Sequence, residues 1–382
     1  MKLKRVLVIL LCVSLLIITV AGCRSTDDDD YQYENGTETP PGSTPAPSSG
    51  DGDPLEEAEE ILRLLNERIG SDDFVEFFRE MMFEHSEDPG RHSFPDGYIF
   101  REGEMVSEFF ETTISLEIGG ISGIVETMYG YHIILRLPID FDSFSVSHPS
   151  GGPPSSVRQL AAMEDFEFQR FQWLNALEIE YSQEYEDLDF AVVFENGLDF
   201  DASFATLDPD TIMISSGDLS ISWAQLYVFI YRIVYEVFQM HEAGDMEIDW
   251  NEEAFEERTW AELVLGYASE EAISFISYMY GMERNNIVLS DDDLQDLNES
   301  IESIIEMYGS KEELEYSLRE TSGYYNFDVF MDLVTIEFGV SVLVDTLYGD
   351  EGSEFPDSLV EIYAEANGFL MAMHILRMKP GF

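Results

Sequence analysis

Two stretches decide how the rest of this chain is read: GYHIILRL at residues 130–137 and MAMHILRM at residues 371–378. Each is short and apolar, and each reads as a β-strand. Side chains alternate between the two faces of a strand. His132 therefore shares a face with Ile134 and Arg136, and His374 shares one with Ala372 and Leu376. If the strands lie antiparallel side by side, both imidazoles can meet on one face of one sheet. A lone histidine in a strand is more often a satisfied core residue than a reactive one. Two on matching strands shift that balance only modestly.

The whole chain frames that pair. Its 382 residues can hold two or more domains, and 45% apolar with 13% aromatic residues implies that most of it folds. The charge is extreme: 19 basic residues against 78 acidic ones, a net −59. Phosphates would be repelled, which excludes a nucleic-acid partner, and an anionic membrane surface would repel the folded body too. The acid reads as a solvated coat.

The first residues read as an export signal. Lys2, Lys4 and Arg5 precede an apolar run at 6–20 and then VAGC at 20–23, so residues 1–22 are expected to be a signal peptide. The VAGC stretch resembles the lipobox of bacterial lipoproteins. That resemblance implies a lipid on Cys23 and a location outside the cytoplasm, anchored to the bacterial cell membrane. An uncleaved anchor and an ordinary signal peptide are the alternatives on the same residues. Cleavage would remove Cys12 and leave Cys23 alone, so neither an internal disulfide nor a cysteine nucleophile is expected.

Residues 23–53 are rich in Pro, Gly, Ser, Thr and Asp and read as a disordered tether; the aspartates at 27–30 are contiguous and read as solvated. Asp53-Pro54 opens a helix with apolar residues at Leu55, Ala58, Ile61, Leu62, Leu65 and Ile69. A second helix from Ser71 stacks Phe74, Phe77, Phe78, Met81 and Met82, a stripe that reads as core. Residues 105–115 read as a third helix, and 121–125 and 131–137 as strands. The run PSGGPPSS at 149–156 marks a boundary, followed by a helix over about 157–182 within a helical connector at 155–200. A strand pattern at 211–221 turns at Ser216-Gly217-Asp218. From Ser222 to about Glu365 the pattern is helical, with Ser222 and Ser290 as caps. Arg232 and Glu236 within WAQLYVFIYRIVYEVF argue for a buried amphipathic helix rather than a membrane span.

The stretch DFVEFFREMMFEHSEDPG (73–90), with EGEMVSEFFETTISLEIGGISGIVETMYGYHIILRL (102–137), resembles the parvulin family of peptidyl-prolyl isomerases. The likeness runs through the SEDPG loop, the GEMVSEF helix, the turn before Ile121-Ser122 and the closing GYHII. Parvulins also carry an opening HIL strand before their first helix. Here the HIL stretch is MHILRMK, at 373–379. Residues 209–365 resemble the helical, SurA-N-like chaperone domain of PrsA- and SurA-type foldases, which normally leads into that strand. The resemblance thus implies a circularly permuted α+β protein. A parvulin domain at 54–148, a four-stranded antiparallel sheet with flanking helices, would be completed by strand 370–379, and a helical chaperone-like domain would occupy 209–369. The start of a second parvulin domain, or a strand exchanged between two molecules, would give the same ending.

The resemblance also implies roles. The polar frame falls on His132, His374 and Asp88. The proline socket falls on Met105 and Phe109, taken as i, i+4 on one helix face, with Phe100 nearby and Tyr129 at the rim, where a smaller residue is usual. RHSFPDGYIF (91–100) replaces the family's glycine-rich rim, and no basic cluster suggests phosphoserine selectivity. His85, His92, His148 and His241 lack metal-ligand spacing, and neither metal nor cofactor is expected. The expected activity is cis/trans isomerisation of Xaa-Pro bonds in newly exported polypeptides. A holdase chaperone whose parvulin fold no longer catalyses is the alternative.

Overall fold

Asp53 accepts a hydrogen bond from the Leu55 amide and Pro54 sets the first φ, which together start α1 (Pro54–Asn66). There follow α2 (Phe74–His85), a 3-10 turn (Pro89–His92), β1 (Tyr98–Phe100), α3 (Ser107–Ser115), β2 (Val125–Glu126) and β3 (Gly130–Leu137). Next come α4 (Val157–Ala176), β4 (Glu180–Tyr181), α5 (Gln183–Glu186), β5 (Ile212–Ser216), β6 (Leu219–Ser222) and α6 (Trp223–His241). The chain continues through β7 (Glu253–Phe255), β8 (Arg258–Thr259), α7 (Trp260–Arg284), α8 (Asp291–Tyr308) and α9 (Lys311–Ser322). It closes with α10 (Phe327–Tyr348), a 3-10 turn (Asp350–Gly352), α11 (Asp357–Ala366) and β9 (Leu370–Met378). This computed structural model describes residues 53–146, 155–189, 193, 204, 207–241, 249–255 and 258–380, with the backbone alone at 236–241 and 255. The expected signal peptide, the tether with Cys23, His148 and the His241 side chain lie outside the described residues.

The chain divides into two compact units, one of residues 53–165 and 348–380 and one of residues 166–347 among those described. The units part at 165 and 347, so the start of the expected connector (155–200) and the end of the expected chaperone-like domain (209–369) lie in the first unit. The segment after Tyr348 is tied to the first unit by Arg158, a nearly buried guanidinium. It pairs with Asp142 (2.6 Å) and Asp357 (2.8 Å) and donates to the Phe355 carbonyl (2.7 Å).

In the first unit the sheet order is β1-β9-β3-β2, all pairs antiparallel. The strand latest in the sequence is therefore an inner strand. Its register sets Ile375 opposite Ile133, His374 opposite Ile134 and Leu376 opposite His132. One face carries Ile134, Ala372 and Leu370 and packs with Phe100 and Phe109. The other carries Ile133, Leu135, Met371, Met373 and Ile375, all buried, on the side of α1 and α2. Arg377 on that side reaches the His85 carbonyl at the end of α2 and Glu57 of α1. Where β1 ends, Ser86 and Glu87 take over the edge of β9. The Glu87 amide donates to the Leu376 carbonyl (2.9 Å) and the Leu376 amide to Ser86 Oγ (3.1 Å).

Several local expectations change. α1 ends at Asn66, leaving Ile69 outside it and 53% exposed. The expected strand at 121–125 reduces to a single bridge, Ile121 to Leu135, plus the short β2. Met105 precedes α3 instead of lying on it. The Arg101–Glu104 turn, closed by Glu104 N to Arg101 O (3.2 Å) and Arg101 N to Glu104 Oε2 (2.7 Å), uses up the residues that would have extended the helix.

The second unit is mostly helical, its core built around Trp223, Tyr227, Phe229, Tyr324 and Phe330. Ser290 and Asp293 form a capping box on α8. The strand pattern at 211–221 is the hairpin β5–β6, turning at Gly217 with φ +61°. The expected helix to 182 stops at Ala176, because Glu180–Tyr181 pairs with β5 and the Ser182 side chain caps α5. The expected all-helical span is broken by the β7–β8 ribbon. Among the described residues no helix is long and apolar enough to cross a membrane, and no group of three or more His, Cys, Asp or Glu could hold a metal.

Candidate active site

Three backbone devices bring the polar residues together. The β3–β9 register puts His132 and His374 on one face, and their Nδ1 atoms are 3.0 Å apart. The Ser86–Glu87 strap along β9 delivers the next residue, Asp88, whose Oδ2 lies 3.0 Å from His374 Nε2. The β2–β3 turn delivers Thr127, whose Oγ1 is 2.8 Å from His132 Nε2. The result is a continuous chain, Thr127–His132–His374–Asp88, buried for most of its length.

The proton positions follow from the ends. Asp88 Oδ1 accepts from the Gly90 amide (3.1 Å) and Oδ2 from the Tyr98 hydroxyl (2.5 Å). Burial raises its pKa, but the His374 hydrogen bond and charge, the Tyr98 hydroxyl and the Gly90 amide outweigh burial and hold it down at about 2. An ionised Asp88 needs a hydrogen on His374 Nε2. In the neutral ring Nδ1 is then an acceptor, so His132 Nδ1 donates and His132 Nε2 accepts from Thr127. Burial first, then the neighbouring His374, lowers the His132 pKa to about 3. The ring is neutral at physiological pH.

The apolar part sits against the imidazoles. Phe109, 3% exposed, presents its ring edge-on to both, with centroids 5.7 Å from His132 and 5.2 Å from His374. Phe100 packs on Phe109 at 5.6 Å, and half-buried Met105 packs on the same cluster. The structure thus brings together His132, His374, Asp88, Met105, Phe109 and Phe100. Tyr129, half-exposed in the β2–β3 turn, is linked to the cluster by its amide, which donates to Thr127 Oγ1 (3.2 Å). His85 and His92 lie elsewhere, beside Glu84 and against Phe83. Thr127 and Tyr98 were missed by the sequence reading. Tyr98 alternates with Phe100 on one short strand, which is a usable signal; Thr127 gives none until the turn is built.

The pH dependence of stability has a definite sign. Folded His132 binds its proton only near pH 3, whereas an unfolded histidine does so near 6.5. Below about pH 6.5 the unfolded chain gains a proton that the folded chain refuses, at about 1.4 kcal/mol per pH unit. Asp88 adds a second loss as pH falls from about 4 toward 2. Urea melts of the first unit should lose about 2 kcal/mol between pH 7 and 5. His132→Gln should flatten that slope; an unchanged slope would mean that the imidazole titrates normally.

Comparisons with known proteins find relatives for part of this chain. The PPIC-type PPIase (rotamase) domain model matches residues 46–137, a stretch that excludes β9. The foldase protein PrsA of Halalkalibacterium halodurans is 42% identical over 81 residues, 21% of this chain and 22% of that protein. The foldase protein PrsA of Geobacillus kaustophilus is 45% identical over 60 residues, 15% of this chain and 21% of that protein. The chain thus spans about a fifth of the length of these curated relatives. No solved structure matches. In residues 46–137 the chain carries a domain of the PPIC-type, or parvulin-type, peptidyl-prolyl isomerase family.

Proposed function

We propose that this chain is a peptidyl-prolyl cis/trans isomerase and foldase for exported polypeptides, held outside a bacterial membrane by a lipid on Cys23. The observation that carries the catalytic part is the His132–His374–Asp88 cluster capped by the edge of Phe109. Rotation about Xaa-Pro meets a barrier of about 18–20 kcal/mol from amide resonance, and no bond is broken. The site needs only a socket for the proline ring and a polar frame that favours the twisted amide over the planar one. Phe100, Met105 and Phe109 form the socket, and the oriented imidazoles with Thr127 form the frame. Rotation about the bond needs no proton transfer, so the hydrogen-bonded cluster serves by its fixed dipoles.

The order of parts supports a circular permutation. The family's opening HIL strand corresponds to Met373–Arg377 within β9, placed after the helical unit and paired with β3 of its own chain. A helical chaperone-like role for residues 209–369 rests on resemblance, as does the export signal.

The test is a protease-coupled isomerisation assay on a Xaa-Pro peptide. Met105→Ala is expected to lower kcat/KM about tenfold and His132→Ala about a hundredfold, with circular dichroism unchanged. A wild type no faster than the spontaneous rate would favour the holdase instead. For the anchor, Cys23→Ala should abolish lipid attachment and release the protein from membranes; an unchanged mass and fractionation would remove that part of the reading.

A further inference from the structure

Asp88 is held by more than its imidazole neighbour. Its Oδ2 accepts from both His374 Nε2 (3.0 Å) and the Tyr98 hydroxyl (2.5 Å), and its Oδ1 accepts from the Gly90 amide (3.1 Å). Arg91, the cation on the same turn, donates to the Asp88 backbone carbonyl (2.7 Å), not to the carboxylate. The tyrosine ring lies against Phe94 (4.8 Å between centroids) and His374 (5.5 Å). Room for the hydroxyl is made by Gly90, where a Cβ would sit 1.8 Å from the phenolic oxygen. That glycine is required by space rather than by a positive φ.

We propose that Tyr98 is a positioning residue whose hydroxyl fixes the direction of every hydrogen bond from Asp88 to Thr127, and so the tautomer of both imidazoles. A carboxylate oxygen accepts more strongly than the hydroxyl oxygen of an acid, so the phenol's donation to Oδ2 favours the anion over the protonated acid. The phenol stays a donor, because burial and the adjacent carboxylate push its pKa well above the ordinary tyrosine value. With Asp88 anionic, His374 carries its hydrogen on Nε2, His132 carries its own on Nδ1, and Thr127 donates to His132 Nε2. Without the hydroxyl the anion loses one of its donors, a proton moves more readily onto Oδ2 toward His374, and the row of hydrogens can run the other way.

The inference rests on the isomerase reading of the cluster, and its test separates the two. Tyr98→Phe removes the hydroxyl and keeps the ring; Gly90→Ala keeps the hydroxyl and displaces it. The full chain labelled with 15N-histidine is followed from pH 8 to 4, beside kcat and KM for a Xaa-Pro peptide. The wild type should show one tautomer at each ring, Nδ1–H on His132 and Nε2–H on His374. Both variants should lose that pattern at a pH higher by about one unit or more, with kcat down about tenfold and KM within about twofold. Tyr98→Phe with wild-type ring signals and pH profile would overturn the proposal. A wild type that does not catalyse defeats the isomerase reading alone, because the ring signals still decide whether the phenol orients the cluster.

Discussion

Deleting residues 370–380 is expected to unfold the unit that holds the histidine pair. The deletion removes Leu370, Met371, Met373, Ile375 and Leu376, each no more than 6% exposed, together with the fully buried Ala372. At about 1.5–3 kcal/mol for each large apolar side chain, the loss is on the order of 10 kcal/mol. That matches the whole stability of an ordinary domain. β1 and β3 would also lose their common neighbour, exposing unpaired amides and carbonyls along two edges. Limited proteolysis should degrade residues 53–165 in the truncated protein and spare them in the intact one. A synthetic peptide of residues 370–380 should restore protection, and with it the His132–His374 contact. A truncated protein as resistant as the intact one would mean that β9 is dispensable to the sheet.

Gly130→Ala should be the most damaging single substitution in the same sheet. Gly130 starts β3 with φ +157°, and a Cβ there would lie 2.2 Å from the Arg377 carbonyl oxygen and 2.9 Å from Met378 Cα. Both are backbone atoms of β9, so no side chain can rotate away. Either β9 moves, taking His374 out of register with His132, or the turn carrying Thr127 opens. A loss of about 3 kcal/mol or more is expected from urea melts. Gly123→Ala, where nothing lies within 4 Å, is the control and should be nearly neutral. Equal stability of the two variants would show that the β3–β9 approach is loose.

The strands and their facing histidines were legible because period-2 patterning depends only on neighbouring residues. The two stretches 130–137 and 371–378 each carry it whole. What the sequence concealed depends on partners far along the chain. Glu180 and Tyr181 look helical until β5 pairs with them. Met105 looks helical until Glu104 folds back on Arg101. Thr127 is an unremarkable turn residue until the pairing of β2 with β3 lifts its hydroxyl to His132. The socket and frame residues were placed by resemblance; Tyr98, whose likeness to the family is obscured by the altered stretch at 91–100, was not.

The inner position of β9 constrains the order of events in folding. The histidines that meet at 3.0 Å are 242 positions apart. Relative to a ten-residue connection, closing a loop of that length costs roughly 3 kcal/mol more in chain entropy, and it is closed before any pairing can repay it. A helical unit that collapses first shortens the effective loop by bringing its ends nearer. During synthesis the earlier strands must wait, open-edged, while all of residues 138–369 are made. The sheet is thus expected to form last and slowly, with β1 and β3 exposed to aggregation or to another molecule's β9 in the interval.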